Sequence, residues 1–543
     1  MPYTGKPSKG CDMCKSRRIK CDETKPICNN CIKSGRRCPG YREEFDIMFR
    51  DENKAMAKKV RNSSRRRGQS SRSVTPSSPH GSPLPTSYTD PQLDQLEAPP
   101  FPDVPVNLGH SVWHSLLSNL EHALPATVRV APEYEAVPFF FRNFVPLPQR
   151  ADSMRGYLNL LLPLYNRTLP SSTLHLATKA VSLAAYGNYP GKQQLMSDAA
   201  RAYGEALGKL NEDLRDPVAG RSDETILAIL LFSLYENLSS TDDTLQAWGN
   251  HVDGAVALVK LRGAAQFQDP TSHEVFRAVR SMMVMNCMQR SKPVDFDPFP
   301  GGEGWVGSDV KEENPANRLT LICINLPNIR ARASRLIQSP YNTTLESEAL
   351  NILHSARTVE ESLQNWYETL PEVWRPQLIG VESKAANAEI WPGEQHVYPD
   401  VSIASIVNDY RVCRIFCQHV IMHCATWLSV NPVHQLINSY NRAAFTIQQT
   451  ANDIAACVPF HLSYDMQPVA KMLGQERIAA EGYGGYSLVW PLYVAAHAQT
   501  VPHEQKMWFL DRLHYIGKEF GLSNVQVLVM AKQHVLTCGP LFP

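Results

Sequence analysis

Cys11-Asp12-Met13-Cys14-Lys15-Ser16-Arg17-Arg18-Ile19-Lys20-Cys21 is followed, 17 residues on, by Cys28-Asn29-Asn30-Cys31-Ile32-Lys33-Ser34-Gly35-Arg36-Arg37-Cys38. The spacing C-x2-C-x6-C therefore occurs twice, and this near-twofold repeat asks for a symmetric metal core. Six thiolates give two zinc ions four sulfurs each only if two sulfurs are shared. The first cysteine of each half, Cys11 or Cys28, is the natural bridge. One Zn(II) would use Cys11, Cys14, Cys21 and Cys28; the other would use Cys28, Cys31, Cys38 and Cys11. Both sites are closed and tetrahedral, as structural zinc sites are, with no open position for catalysis.

A disulfide framework is the first rival, because an even number of cysteines in a short segment often means bridges. The chain opens Met1-Pro2-Tyr3-Thr4-Gly5-Lys6 with no apolar stretch of the signal-peptide kind. That points to a reducing compartment, where thiols stay free or bind metal. A metallothionein-like buffer would not need fixed six-residue gaps or a basic run between ligands. A segment of some 30 residues cannot bury a sufficient core, so metal binding must supply its folding free energy.

Residues 8–41 closely resemble the fungal six-cysteine, two-zinc cluster family of DNA-binding transcription factors. The basic run Lys15-Ser16-Arg17-Arg18-Ile19-Lys20 between Cys14 and Cys21 and the loop pair Lys25-Pro26 carry the match beyond spacing. Lys15 stands where arginine is commoner. The resemblance implies a short helix after Cys11 and another after Cys28, the first reading CGG-type triplets in the major groove of double-stranded DNA. By matching positions Arg18, then Arg17, would offer bidentate donors to guanine O6 and N7. Lys15, Lys20, Lys25, Lys33, Arg36 and Arg37 would meet phosphate, adding affinity without sequence information.

The net charge of +1 conceals an asymmetry. Residues 1–67 hold 19 basic and 8 acidic side chains, a balance of +11, and the remainder balances at −10. One basic end on an otherwise acidic chain suits a polyanionic partner. No apolar run reaches membrane-spanning length; the ten residues from Ile226 to Tyr235 read as a core helix, and no membrane partner is expected. Residues 43–67 read as a basic helix. Lys58, Lys59 and Arg61, followed by Arg65, Arg66 and Arg67, look like a split nuclear import signal, so the expected location is the nucleus. Phe45, Met48, Phe49, Met56 and Val60 form an apolar stripe too short for a coiled coil. It gives only weak support to the homodimer that many family members form.

Residues 68–105, with nine prolines and seven serines, form a disordered linker. From residue 106 to 543 the periodicity is helical. Ala199, Tyr203, Ala206 and Leu210 share a face. Trp248, Val252, Ala255, Val256 and Val259 repeat the pattern, with Lys260 and Arg262 in the last turn and Gly263 as the stop. Ser222 can cap the helix bearing Ile226–Leu234. The expected fold class is mostly α: a small cluster (residues 1–42) with two short helices around two Zn, and a large all-α domain.

Segments such as Arg155-Gly156-Tyr157-Leu158, Trp248-x2-His251-x2-Gly254-Ala255 and Gly485-Tyr486-Ser487-Leu488 resemble the helical regulatory domain that accompanies fungal zinc clusters. The resemblance implies a transcription regulator, with co-regulators or the transcription machinery as partners and no enzymatic chemistry.

Other constellations read as structural. Cys413, Cys417 and Cys424 share one helix face while His419 and His423 point away, so they do not converge on one ion. Gly482-Tyr483-Gly484-Gly485 lacks the Lys-Ser/Thr of a phosphate loop and reads as a flexible connection before a core helix. Phe139-Phe140-Phe141 reads as packing where the domain begins. No G-x-S-x-G elbow occurs, and no catalytic residue is assigned.

Overall fold

The structure, a computed structural model, describes residues 11–38 apart from 18, 23, 25–27 and 37. It also describes residues 131–528 apart from 147–149, 154–155, 190, 240–246, 291, 297–303, 307–313, 383–388, 463–480, 523–524 and 526–527. The expectations for the stretch 43–67, the linker 68–105 and the domain start at 106 lie outside the described residues.

Two short helices, α1 (Asp12–Ser16) and α2 (Asn29–Lys33), belong to the cysteine module. The large body begins with α3 (Glu133–Asn143), α4 (Leu158–Tyr165), α5 (Thr173–Gly187), α6 (Met196–Asp213), α7 (Asp223–Ser239), α8 (Ala247–Arg262) and α9 (Pro270–Gln289). It continues with α10 (Pro315–Cys323), α11 (Leu326–Ile337) and α12 (Glu346–Glu368), strands β1 (Gln377–Glu382) and β2 (Gly393–Val397), then α13 (Val401–Leu428), α14 (Ile437–Leu462), α15 (Glu481–His497) and α16 (His503–Glu519).

Local chemistry starts these helices. Ser172, Ser222, Asp269, Asn314 and Asp400 each accept a backbone N–H three residues on, satisfying a donor the helix leaves orphaned. Pro270 and Pro315 occupy first positions, where no N–H is needed. Gly263 ends α8 at φ +65°, a left-handed conformation that costs glycine nothing.

Two helices form the centre. From Thr225 to Tyr235 every residue of α7 is buried, and 23 of the 28 residues of α13 are buried. A helix apolar all round must be enclosed on all sides. Helix α7 packs on α5 and α8, while α13 packs on α12, α14 and α15. Among the described residues no helix is long and apolar enough to cross a membrane.

The expected mostly α class holds, but the body is not helix throughout: β1 and β2 pair antiparallel, with a bulge between Leu378 and Gly380. Strand β2 gains its place by packing on α14, where Val397 is fully buried, a tertiary contact with no local sequence signal. Nor do the glycines at 482, 484 and 485 form a connection; they lie inside α15. A Cβ on Gly484 would stand 2.1 Å from the carbonyl oxygen of His461 on α14, and one on Gly482 would stand 2.7 Å from the Phe144 ring. The glycines let two backbones touch rather than let the chain bend.

That contact sits on a buried polar chain. Arg411 donates to Tyr398 Oη at 2.9 Å and to Asn408 Oδ1 at 2.8 Å. Asn408 Nδ2 donates to His461 Nε2 at 3.1 Å. His461 Nδ1 therefore carries the proton and donates to Ser487 Oγ at 3.1 Å, and the hydroxyl donates to the Gly484 carbonyl at 3.0 Å. Burial, then the Arg411 charge, pushes His461 down to about 3. The unfolded chain takes a proton near the ordinary histidine value of about 6.5, which the folded chain refuses until far lower pH. This contribution is complete above that value and is lost as pH falls toward 3. His251, held at about 4 by burial, acts in the same direction. Thermal melts should therefore fall from pH 7 to pH 4. His461→Gln should melt lower at pH 7 but show a shallower pH slope; an unchanged slope would remove His461 from the account.

Candidate metal centre and nucleic-acid interface

The two halves of the cysteine module are built alike. Cys11 and Cys28 stand just before α1 and α2, and their sulfurs accept the N–H of Cys14 at 3.4 Å and of Cys31 at 3.3 Å. A helix start offers orphan N–H groups and partial positive charge, which suits an ionised sulfur. The chain leaves each helix the same way: Ile19 N donates to Cys14 O at 3.1 Å, and Arg36 N donates to Cys31 O at 3.0 Å. Gly35, at φ +63°, makes the turn in the second half; its counterpart 17 residues earlier, Arg18, lies outside the described residues.

The sulfurs converge. Cys11, Cys14, Cys21 and Cys28 bring their ligand atoms within 4.8 Å of one another, and so do Cys11, Cys28, Cys31 and Cys38. Cys11 and Cys28 belong to both groups. The Cys11–Cys28 and Cys14–Cys28 sulfur separations are 3.6 Å, and Cys11–Cys31 is 3.8 Å. A tetrahedral ion with zinc–sulfur bonds of about 2.3 Å sets its sulfurs about 3.8 Å apart. A disulfide needs about 2.05 Å, and all six cysteines are free.

The donor set fits zinc on energetic grounds as well. Cys11, Cys14, Cys28 and Cys31 are fully buried, and among the described residues the partly buried Met13, Cys21 and Cys38 pack against them. Among the described residues the core of this module is mostly sulfur. Packed together without metal, the thiols resist ionisation: burial, reinforced by Cys11, pushes Cys14 up to about 12, and burial raises Cys28 and Cys31. Cations of charge +2 shared among the six would hold them as thiolates.

Around this core a polar lacing joins the described residues Lys20, Asp22 and Thr24 to the start of α2. Asp22 accepts from Thr24 Oγ1 at 2.6 Å and from Asn29 N at 3.1 Å, and Asn30 Nδ2 donates to Lys20 O at 2.8 Å. The Thr24 hydroxyl is the largest cause holding Asp22 at about 2. Sequence reasoning missed this lacing; an Asp-x-Thr followed closely by Asn-Asn is its faint signal.

The basic side chains lie outside. Arg17, Lys20, Lys33 and Arg36 are exposed. Arg17 Nη1 donates to Ser34 Oγ at 3.2 Å, which ties together positions related by the 17-residue repeat. Lys15 lies on α1, with its side chain outside the described residues. Arg18, Lys25 and Arg37 lie outside them too, as do Lys58, Lys59, Arg61, Arg65, Arg66 and Arg67.

In the body, Cys413, Cys417 and Cys424 are buried on α13. His419 Nε2 accepts from Gln499 N at 3.4 Å. Among the described residues the groups that could hold a metal ion are the two of the N-terminal module. Phe139 packs on Tyr186 and Tyr189, and Phe140 stacks on Phe144.

Paired four-sulfur groups with shared members, exposed basic side chains and a large helical body are features that a metal-cluster DNA-binding regulator needs. Residues 9–46 match the fungal Zn(2)-Cys(6) binuclear cluster domain, and residues 138–291 match the fungal specific transcription factor domain. The chain is thus similar at both ends of this arrangement to fungal binuclear zinc cluster transcription factors. It is 24% identical over 417 residues to transcription factor dbaG of Emericella nidulans, spanning 74% of this chain and 93% of that protein. Two proteins of Schizosaccharomyces pombe match over short stretches. An uncharacterized transcriptional regulatory protein is 72% identical over 32 residues, 6% of each chain. Transcriptional regulatory protein moc3 is 58% identical over 43 residues, 7% of this chain and 8% of that one. No solved structure matches. A zinc cluster domain together with a fungal transcription factor domain supports DNA binding and zinc binding.

Proposed function

We propose that this transcription regulator holds two Zn(II) through Cys11, Cys14, Cys21, Cys28, Cys31 and Cys38, with Cys11 and Cys28 bridging, and reads CGG-type triplets. The observation that carries the reading is the pair of four-sulfur groups sharing Cys11 and Cys28, set beside exposed Arg17, Lys20, Lys33 and Arg36. When bound, the zinc supplies structural cross-linking. The side chains supply recognition: Arg18 and Arg17 on guanine, and Lys15, Lys20, Lys25, Lys33, Arg36 and Arg37 on phosphate. Arg17 would have to release Ser34 to reach a base, so Arg18 is the leading reader.

In this reading residues 1–42 are the DNA-binding module and 43–67 carry the import signal. Residues 68–105 link it to a regulatory domain at 106–543, which meets co-regulators or the transcription machinery. The controlled genes form a biosynthetic or metabolic set, and a homodimer would place two modules on paired triplets. Selecting sequences bound by the full chain from random DNA tests this. Enriched CGG triplets, singly or at fixed spacing, support the reading and give the stoichiometry; recovery of unrelated sequences defeats it. Arg18→Ala should weaken binding by about 1–3 kcal/mol and relax discrimination at one base pair. Equal losses on selected and random duplexes would make Arg18 a phosphate contact.

A further inference from the structure

The run from Lys15 to Lys20 carries basic side chains but no sulfur; the ligands Cys14 and Cys21 stand on either side of it. Nor does an apolar core hold it, since Ile19 is 40% exposed. Metal bonds pin the ends of the run and leave its middle to other forces.

Among the described residues, two bonds tie this run to the other half of the module, and both lead to the same element. Asn30 Nδ2 on α2 donates to Lys20 O at 2.8 Å, and Arg17 Nη1 donates at 3.2 Å to Oγ of Ser34, which caps the end of α2. Residues four apart share a helix face, so Asn30 and Ser34 reach the run together. The Ser34 hydroxyl turns its own proton back to α2, with Asn30 O at 2.8 Å and Cys31 O at 3.2 Å. Its lone pairs are left for Arg17, a side chain that can only donate. That bond engages one of the five guanidinium N–H donors, and Arg17 is exposed, so it can meet DNA while Ser34 holds it. The loop that follows the run is held by the same helix: Asn29 N donates to Asp22 Oδ2 and Asn29 Nδ2 to Thr24 Oγ1, each at 3.1 Å. A long cationic side chain loses rotamer freedom when it binds, which weakens association. One already held loses less.

We infer that Asn30 and Ser34 are positioning residues for DNA recognition: α2 is a splint that holds the run at Arg17 and Lys20 in the conformation that meets DNA. The second half of the module thereby sets sequence discrimination through the first half. The inference rests on the proposed reading of DNA by the cluster, in which Arg18, the leading reader, falls between the two tied positions in sequence.

Full-length variants are titrated with the duplex selected from random DNA and with a scrambled duplex, and the zinc on each chain is counted by native mass spectrometry. Ser34→Ala should keep the parent's zinc count and bind the selected duplex about two- to tenfold more weakly. Ser34→Thr keeps the hydroxyl and should return to within about twofold of the parent. Asn30→Ala should lower the preference for selected over scrambled duplex by about two- to tenfold, again with its zinc in place. In an Arg17→Ala chain, Ser34→Ala should add less than about twofold, because the hydroxyl acts through that guanidinium. Parent affinity in Ser34→Ala overturns the proposal, as does an equal loss with and without Arg17. If Ser34→Ala sheds zinc, Asn30→Ala decides, and an undiminished preference overturns the proposal; zinc lost from both makes the ties merely structural and overturns it too. A parent chain that prefers no sequence defeats the proposed function instead, and the Arg17–Ser34 cycle, read on scrambled duplex, then decides the inference by the same outcomes.

Discussion

Replacing Cys28 with alanine is expected to empty both metal sites at once, whereas replacing Cys38 should disable only one. The difference follows from sulfur sharing: Cys28 lies in both four-sulfur groups, and Cys38 lies in one. Among the described residues the buried core of the module is cysteine with Met13 alongside, which offers little hydrophobic burial. Structural zinc supplies about 10–16 kcal/mol to modules of this size, far more than some 30 residues can recover from packing. Cys28→Ala should thus unfold the module and leave only salt-sensitive, non-specific DNA binding, a loss of about 10³-fold or more on the preferred duplex. Native mass spectrometry should count two zinc ions in the parent chain, at most one in Cys38→Ala and none in Cys28→Ala. A Cys28→Ala chain that keeps one ion and its sequence preference would refute the bridging assignment.

The second large effect is steric. Gly484→Ala should destabilise the helical body by about 3 kcal/mol or more, at or beyond the top of the usual range for overpacking. The added carbon would stand 2.1 Å from the His461 carbonyl oxygen. That oxygen is backbone, so no side-chain rotation relieves the clash, and α14 and α15 must part. Separation also stretches the chain from Asn408 through His461 to Ser487, whose members are buried or half-buried and whose links are 3.1 Å each. Gly208 on α6 provides the matched control. A carbon there meets nothing within 4 Å, so Gly208→Ala should stabilise by about 0.5–1 kcal/mol through helix propensity alone. Melting temperatures of the two variants should move in opposite directions. A neutral Gly484→Ala would mean that the two backbones are not held in contact.

The parts of the fold legible in the chain are those governed by local rules. The caps at Ser222 and the stop at Gly263 could be placed because an N-cap acceptor and a left-handed glycine act within a few residues of themselves. The length and apolar character of Ile226–Tyr235 marked a core helix, which α7 is. The same local logic misread Gly482-Tyr483-Gly484-Gly485. Glycine is permissive in isolation, and only the approach of α14 gives it a steric role inside a helix. The β1–β2 hairpin escaped for a related reason, since β2 is held by α14 rather than by its own alternation.

The amino-acid sequence by itself determined the cysteine module. Six sulfurs at fixed spacing, in a segment too small for a hydrophobic core, leave metal as the organising force. The 17-residue repeat already names Cys11 and Cys28 as the shared pair. The tertiary structure alone decided what the helical body does with its interior. Its cavity belongs to no segment: it is what remains where faces of α9, α13 and α15 meet, and α9 and α13 stand more than a hundred positions apart in the chain.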